Sequence, residues 1–156
     1  MITVAHLDTI YERQKHNVSY RVYRDPVSFV HRFKGDADRE MAGFIAAQFA
    51  YGKIELFMGF LERLFGSMEN GPIHFIEAGQ WDALNNLYYR FHKARDLVML
   101  FEVLRQILGE NGTFGALFRS LYNGDTRETI WRIREKYLPG TDKLLFFFPR
   151  AGSKDR

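Results

Sequence analysis

The chain has 156 residues, 46% of them apolar and 26% charged, with a formal net charge of +3. That length supports one domain with a real core and excludes two of ordinary size. With no cysteine there is no disulfide framework, thiolate nucleophile or cysteine-bound zinc, which fits a reducing cytosol. The small positive excess permits nucleic-acid binding without requiring it.

The first predicted element runs from Thr3 to about Lys15. There Val4, Leu7, Ile10 and Tyr11 recur at three- and four-residue spacings, the pattern of a short amphipathic helix. Asp8 and Glu12 interrupt the apolar run that a signal peptide would need. No stretch approaches the ~20 apolar residues that span a bilayer, so the expectation is a cytoplasmic protein without membrane contact. His16 to Arg24 reads as a loop. Asp25-Pro26 is a helix start, because the carboxylate can cap free N–H groups and proline suits the first helical position. Phe29, Val30 and Phe33 give that short helix its inward face, and Gly35 ends it.

The longest periodic pattern lies between Asp36 and Gly66 and reads as two helices joined at Tyr51-Gly52-Lys53. Asp36 is placed to cap the first, with Asp38 and Glu40 in its opening turn, where the helix dipole favours negative charge. Met41, Phe44, Ile45, Gln48 and Phe49 form its stripe, and its alanines with Gly43 allow another helix to come close. Ile54, Phe57, Met58, Leu61, Leu64 and Phe65 continue the pattern in the second. Asn70-Gly71-Pro72 is a turn into a brief helix, Ile73 to Ala78, and Trp81 to Leu87 suggests one more. Asp96 to Leu108 is apolar on most sides and so central. Thr113 caps a helix carrying Phe114, Leu117, Phe118, Leu121 and Tyr122, and Asp125 with Glu128 resembles a capping box for the last one, lined by Ile130, Ile133, Tyr137 and Leu138. No segment alternates as a strand does. The expected fold is all-α.

The tail resists this reading. Leu144, Leu145, Phe146, Phe147 and Phe148 form an apolar block that ought to be buried, yet nothing after it offers cover. Residues 1–142 therefore read as one helical domain, and 143–156 as an apolar segment with a polar end. Such a block can dock on a second copy or on a partner chain.

Chemistry is sparse. His92 and Asp96 sit four apart and could form a hydrogen-bonded pair, but a helix cap by Asp96 explains the acid equally. His31 with Asp36 and Asp38 could hold a metal, although both acids have sufficient work at a helix start. There is no phosphate loop and no nucleophile elbow. Nothing specifies a catalytic residue, a metal or a cofactor. The basic residues say more: Arg21, Arg24, Arg32 and Lys34 form one group, and Arg90, Lys93 and Arg95 another, interleaved with Tyr88, Tyr89 and Phe91. Brought together, they would suit phosphate contacts and base stacking on DNA. The alternative is an ordinary solvated surface.

Asp38 to Ala47, then Ala50 to Ile54, resembles a bacterial conserved-hypothetical family, the domain of unknown function 2400. The likeness extends to Tyr11 through Arg13, Asp25-Pro26, Tyr89-Arg90-Phe91 followed by Asp96, and Gly112-Thr113-Phe114. That family has no established activity to transfer. A second, weaker resemblance is to the first half of helix-hairpin-helix DNA glycosylases, where a helix like Asp38 to Gly52 opens the domain. There, a segment like Leu87 to Leu108 leads towards the DNA-binding hairpin. It implies an orthogonal multi-helix bundle, a lobe that is not catalytic alone, and a catalytic half that would follow residue 156.

Overall fold

The computed structural model describes residues 3–15, 23–139 and 147. In order, the helices are α1 (Val4–Lys15), α2 (Val27–Val30), α3 (Asp36–Phe49), α4 (Ile54–Gly66), α5 (Pro72–Ala78), a 3-10 turn (Asp82–Leu84), α6 (Ala94–Asn111), α7 (Phe114–Leu121) and α8 (Thr126–Tyr137). The only β pairing among the described residues is an isolated bridge between Tyr89 and His92. The fold is all-α, as the periodicity predicts.

Turn chemistry sets the helix ends. Asp25 Oδ1 accepts the Val27 amide at 2.9 Å, Thr113 Oγ1 accepts the Ala116 amide at 3.0 Å and Asp125 Oδ1 accepts the Glu128 amide at 3.0 Å. Each satisfies an N–H group that the helix leaves without a partner. Asp36 does not cap α3. The N-cap is Gly35, in extended conformation, and Asp36 is the first helical residue. Asp38 caps a different helix: its Oδ1 accepts the amide of Ile73 at 2.9 Å, near the start of α5. Gly71 makes room for that carboxylate. Its φ is +97°, and a β-carbon there would fall 2.7 Å from Asp38 Oδ1.

α3 buries Met41, Ala42, Ile45, Ala46 and Phe49 and packs against α2, α4, α5 and α7. A β-carbon on its Gly43 would already touch Val30 at 3.4 Å, so the small residues do serve close packing. Phe29 of α2 is fully buried and stacks on Phe65 of α4 at 4.9 Å. On α4 the buried face is Phe57, Phe60, Leu61, Leu64 and Phe65. Ile54, expected inside, is exposed, and Phe60 takes the place in the core. α6 buries six residues, from Leu97 to Leu108, and touches α5, α7 and the 3-10 turn, so it is central.

Two apolar features depart from expectation. α1 forms, but Val4, Leu7, Ile10 and Tyr11 are all exposed. Of the tail block, Leu144, Leu145, Phe146 and Phe148 lie outside the described residues. Phe147 does not lack cover: it is 3% exposed, with its ring 4.5 Å from His92 and 5.4 Å from Phe49. The core itself accommodates that side chain.

Candidate functional site

Between the 3-10 turn and α6 the chain reverses at Arg90-Phe91. Tyr89 and His92 exchange both backbone hydrogen bonds, each at 2.9 Å, which closes a two-residue turn. The paired residues point inward: Tyr89 is 5% and His92 6% exposed. Their neighbours point outward, with Tyr88 at 68% and Phe91 at 73% and Arg90, Lys93 and Arg95 exposed beside them. Tyr89, predicted to stack on bases, is therefore a core residue. Its ring stacks on Phe60 at 5.1 Å and meets Tyr51 edge-on at 5.1 Å. Its hydroxyl donates to the Tyr51 carbonyl. Tyr88 and Phe91 hold the exposed aromatic positions.

Arg90 has a φ of +52°. That region is uncommon for a bulky L-residue and costs about 1–3 kcal/mol unless the surroundings enforce it. Here they do: Arg90 lies between the two halves of the bridge. Its guanidinium carbon sits 5.7 Å from the Tyr51 ring and 5.6 Å from the Phe91 ring. It rests on Gly52, the turn between α3 and α4, where a β-carbon would come within 2.7 Å of Nη1. Glycine is needed there twice, for that approach and for its own φ of +89°.

The surroundings are apolar enough to shift three pKa values. Burial, with a smaller effect of Tyr89, pushes the Tyr51 phenol up to about 12 against the opposing charge of Arg90. Burial also raises Tyr89, again opposed by Arg90. It pushes His92 below the usual imidazole range, and Asp96 only partly offsets this. Asp96 Oδ2 accepts the Lys93 amide at 2.8 Å, so the acid is a helix cap. His92 stands outside the helix, in the bridge.

The other predicted cations divide. Arg24 Nη2 lies 2.8 Å from Glu55 Oε1, in the first turn of α4. Arg32 grips Glu62 with two nitrogens, one at 2.8 Å, and lies 4.2 Å over the Phe29 ring. The mutual hydrogen bond raises the Arg32 pKa and lowers that of Glu62. These two arginines thus brace α2 and its flank against α4, which accounts for them without any ligand. Arg95 Nε is 3.7 Å from Asp96. Lys34 and Lys93 are exposed, and Arg21 lies outside the described residues. Both groups touch the start of α4: Arg90 rests on Gly52 and Arg24 pairs with Glu55.

Sequence reasoning left out of the site Tyr51, on whose face Arg90 lies, and Lys53, exposed beside it. Exposed Ile54 and Leu56 adjoin them; Leu56 carries a signal, as an apolar residue off the predicted stripe, whereas Ile54 sits on that stripe and carries none. Asp38 is committed to the Ile73 amide, and no group of three histidine or acidic side chains with metal-binding proximity occurs among the described residues. A separate cleft of about 370 Å³, lined by Met68, His74, Phe75 and Asp82 among others, shares no residue with the turn.

Fold and site together define an all-helical domain that presents a pinned basic and aromatic turn. The chain belongs to the family described as "protein of unknown function (DUF2400)", whose model matches residues 25–154. α1 lies outside that match. No curated protein and no solved structure matches the chain. Among the described residues no helix is long and apolar enough to cross a membrane.

Proposed function

We propose that this domain is a nucleic-acid-binding lobe of a DNA-glycosylase-like protein, not catalytic by itself, that grips its ligand with the outer side of the Tyr88–Arg95 turn. One observation carries the reading. Burial of Tyr89 and His92 holds the turn, while Tyr88, Arg90, Phe91, Lys93 and Arg95 stay in solvent. Cations beside aromatic rings on a fixed scaffold match phosphates and bases at once. The unusual φ of Arg90 supports it, since backbone strain concentrates at working sites. The order of elements, similar to that of the first half of helix-hairpin-helix DNA glycosylases, points the same way. Lys34 and Arg21 are proposed as further cations for the same ligand, while Arg24 and Arg32 are engaged by Glu55 and Glu62.

The test is oligonucleotide binding across a salt series. Affinity should fall linearly on logarithmic axes, and Lys93→Gln with Arg95→Gln should make the slope shallower by roughly 0.7–0.9 for each phosphate that is no longer neutralised. Absence of binding even at low salt would sink the proposal.

A second reading, a helical interaction module that pairs with its own copy, is favoured by the exposed α1 stripe of Val4, Leu7, Ile10 and Tyr11. Sedimentation should then show a stable dimer that dissociates with Leu7→Asp. A monomer at all concentrations removes this reading.

A further inference from the structure

We infer that the ligand of the turn is unpaired nucleic acid, a single strand or a locally opened segment, whose bases stack on Phe91 and Tyr88. This rests on the nucleic-acid reading above and adds the strand state.

A duplex keeps its base faces stacked and offers a protein phosphates and groove edges. Holding it by charge takes many cations, because each neutralised phosphate adds a modest increment through counterion release. This face has few to give. Beyond Arg90, Lys93 and Lys53, Arg24 is paired with Glu55 in the first turn of α4, Arg95 has Asp96 at 3.7 Å, and the whole chain carries only +3. α6 begins directly behind the turn, but its first turn carries Asp96, which places a negative charge where the helix amides would otherwise attract a phosphate.

Aromatic surface is what the face has in excess. Tyr88 and Phe91 are mostly exposed. Every base has a π-face, so rings of this kind bind single strands with little regard to sequence. Phe91 stands in a two-residue reversal whose flanking residues are fixed by paired backbone bonds and by burial. The turn is therefore presented with little ordering left to do on binding. Arg90 supplies a cation 5.6 Å from that ring, near enough to meet the phosphate next to a stacked base.

Fluorescence anisotropy on the full chain tests this with three labelled oligonucleotides of equal length: a mixed-sequence single strand, its duplex, and an abasic single strand. The single strand should bind roughly ten-fold more tightly than the other two. Phe91→Ala should lose roughly that factor on the single strand alone, and Phe91→Tyr, which keeps a ring, should retain it. Because Phe91 is exposed, circular dichroism should show both variants folded. Equal or tighter binding of the duplex, equal binding of the abasic strand, or an unaffected Phe91→Ala variant would overturn the strand-state inference and leave nucleic-acid binding standing. Failure of all three probes to bind at low salt would overturn both.

Discussion

The hydroxyl of Tyr89 donates to the backbone carbonyl of Tyr51, across 38 residues of chain. That bond joins the exposed turn to the α3–α4 connection, and Gly52 next to Tyr51 then receives the Arg90 guanidinium. The two segments hold each other. Gly52 lets the connection turn tightly enough to expose the Tyr51 carbonyl, and the buried Tyr89 ring gives the turn an anchor among Phe49, Tyr51 and Phe60.

Tyr89→Phe keeps the ring and removes the donor. It should cost about 1 kcal/mol in urea unfolding, with the denaturant slope unchanged. Tyr88→Phe, at an exposed position, should stay within about 0.5 kcal/mol of the parent. Equal effects at both positions would contradict the inward and outward assignment.

Asp38 is the second long-range pin. Asp38→Ala leaves the Ile73 amide without its carboxylate and should cost about 1 kcal/mol. Gly71→Ala places a methyl group against the same carboxylate at a φ of +97° and should cost more. Because both changes act on one interaction, the double variant should lose less than the sum of the singles.

Much of the fold is legible in the chain because helix punctuation is local. Gly52, Gly71, Gly79 and Gly112 stand at helix boundaries with positive φ, and Thr113 and Asp125 cap the helices that follow them. Long-range partners leave no such mark. Asp36, Asp38 and Glu40 look alike in a helix's first turn, and only packing selects Asp38 to cap α5. The pairs Arg24–Glu55 and Arg32–Glu62 span about thirty residues, so Arg24 and Arg32 look as available as Lys93 until the helices are assembled. Tyr88 and Tyr89 are identical in composition. The bridge alone decides that one faces solvent and the other the core, and Phe147 likewise finds its cover only in three dimensions.

Tyr51 gives a spectroscopic handle. Its folded pKa, about 12, lies above the usual 10, so its contribution to stability is whole below about pH 10. It is lost as pH rises through 12, since the unfolded chain releases that proton first. Ultraviolet titration should show a late-ionising phenol that disappears in Tyr51→Phe. The same variant should lose less stability between pH 9 and 11 than the parent.

His92 acts at the other end of the scale. Its depressed folded pKa means that the unfolded chain takes up a proton first as pH falls, so stability is full above about 6.5 and declines below it. Asp96 softens the decline without reversing it. Glu62, whose pKa the Arg32 hydrogen bond also lowers, keeps its contribution above the ordinary carboxylate range and loses it as pH falls from that range downward. His92→Phe should therefore flatten the stability profile between about pH 6.5 and 5, whatever it does to absolute stability. An unchanged slope would mean that the imidazole is not protected from solvent.

Arg90 separates stability from binding. At a φ of +52° alanine carries a Cβ penalty of about 1–2 kcal/mol that glycine escapes. Elsewhere glycine is the worse residue, by roughly 0.5–1 kcal/mol, because it leaves the unfolded chain more freedom. At position 90 the order should invert, with Arg90→Gly at least as stable as Arg90→Ala. Both lose the guanidinium over Tyr51 and beside Phe91, so under the proposed function both should bind nucleic acid more weakly than the parent, by similar factors. Thermal melts and anisotropy on the same two variants decide the matter: the melts rank the backbone strain, and the anisotropy reports what the strained residue is for.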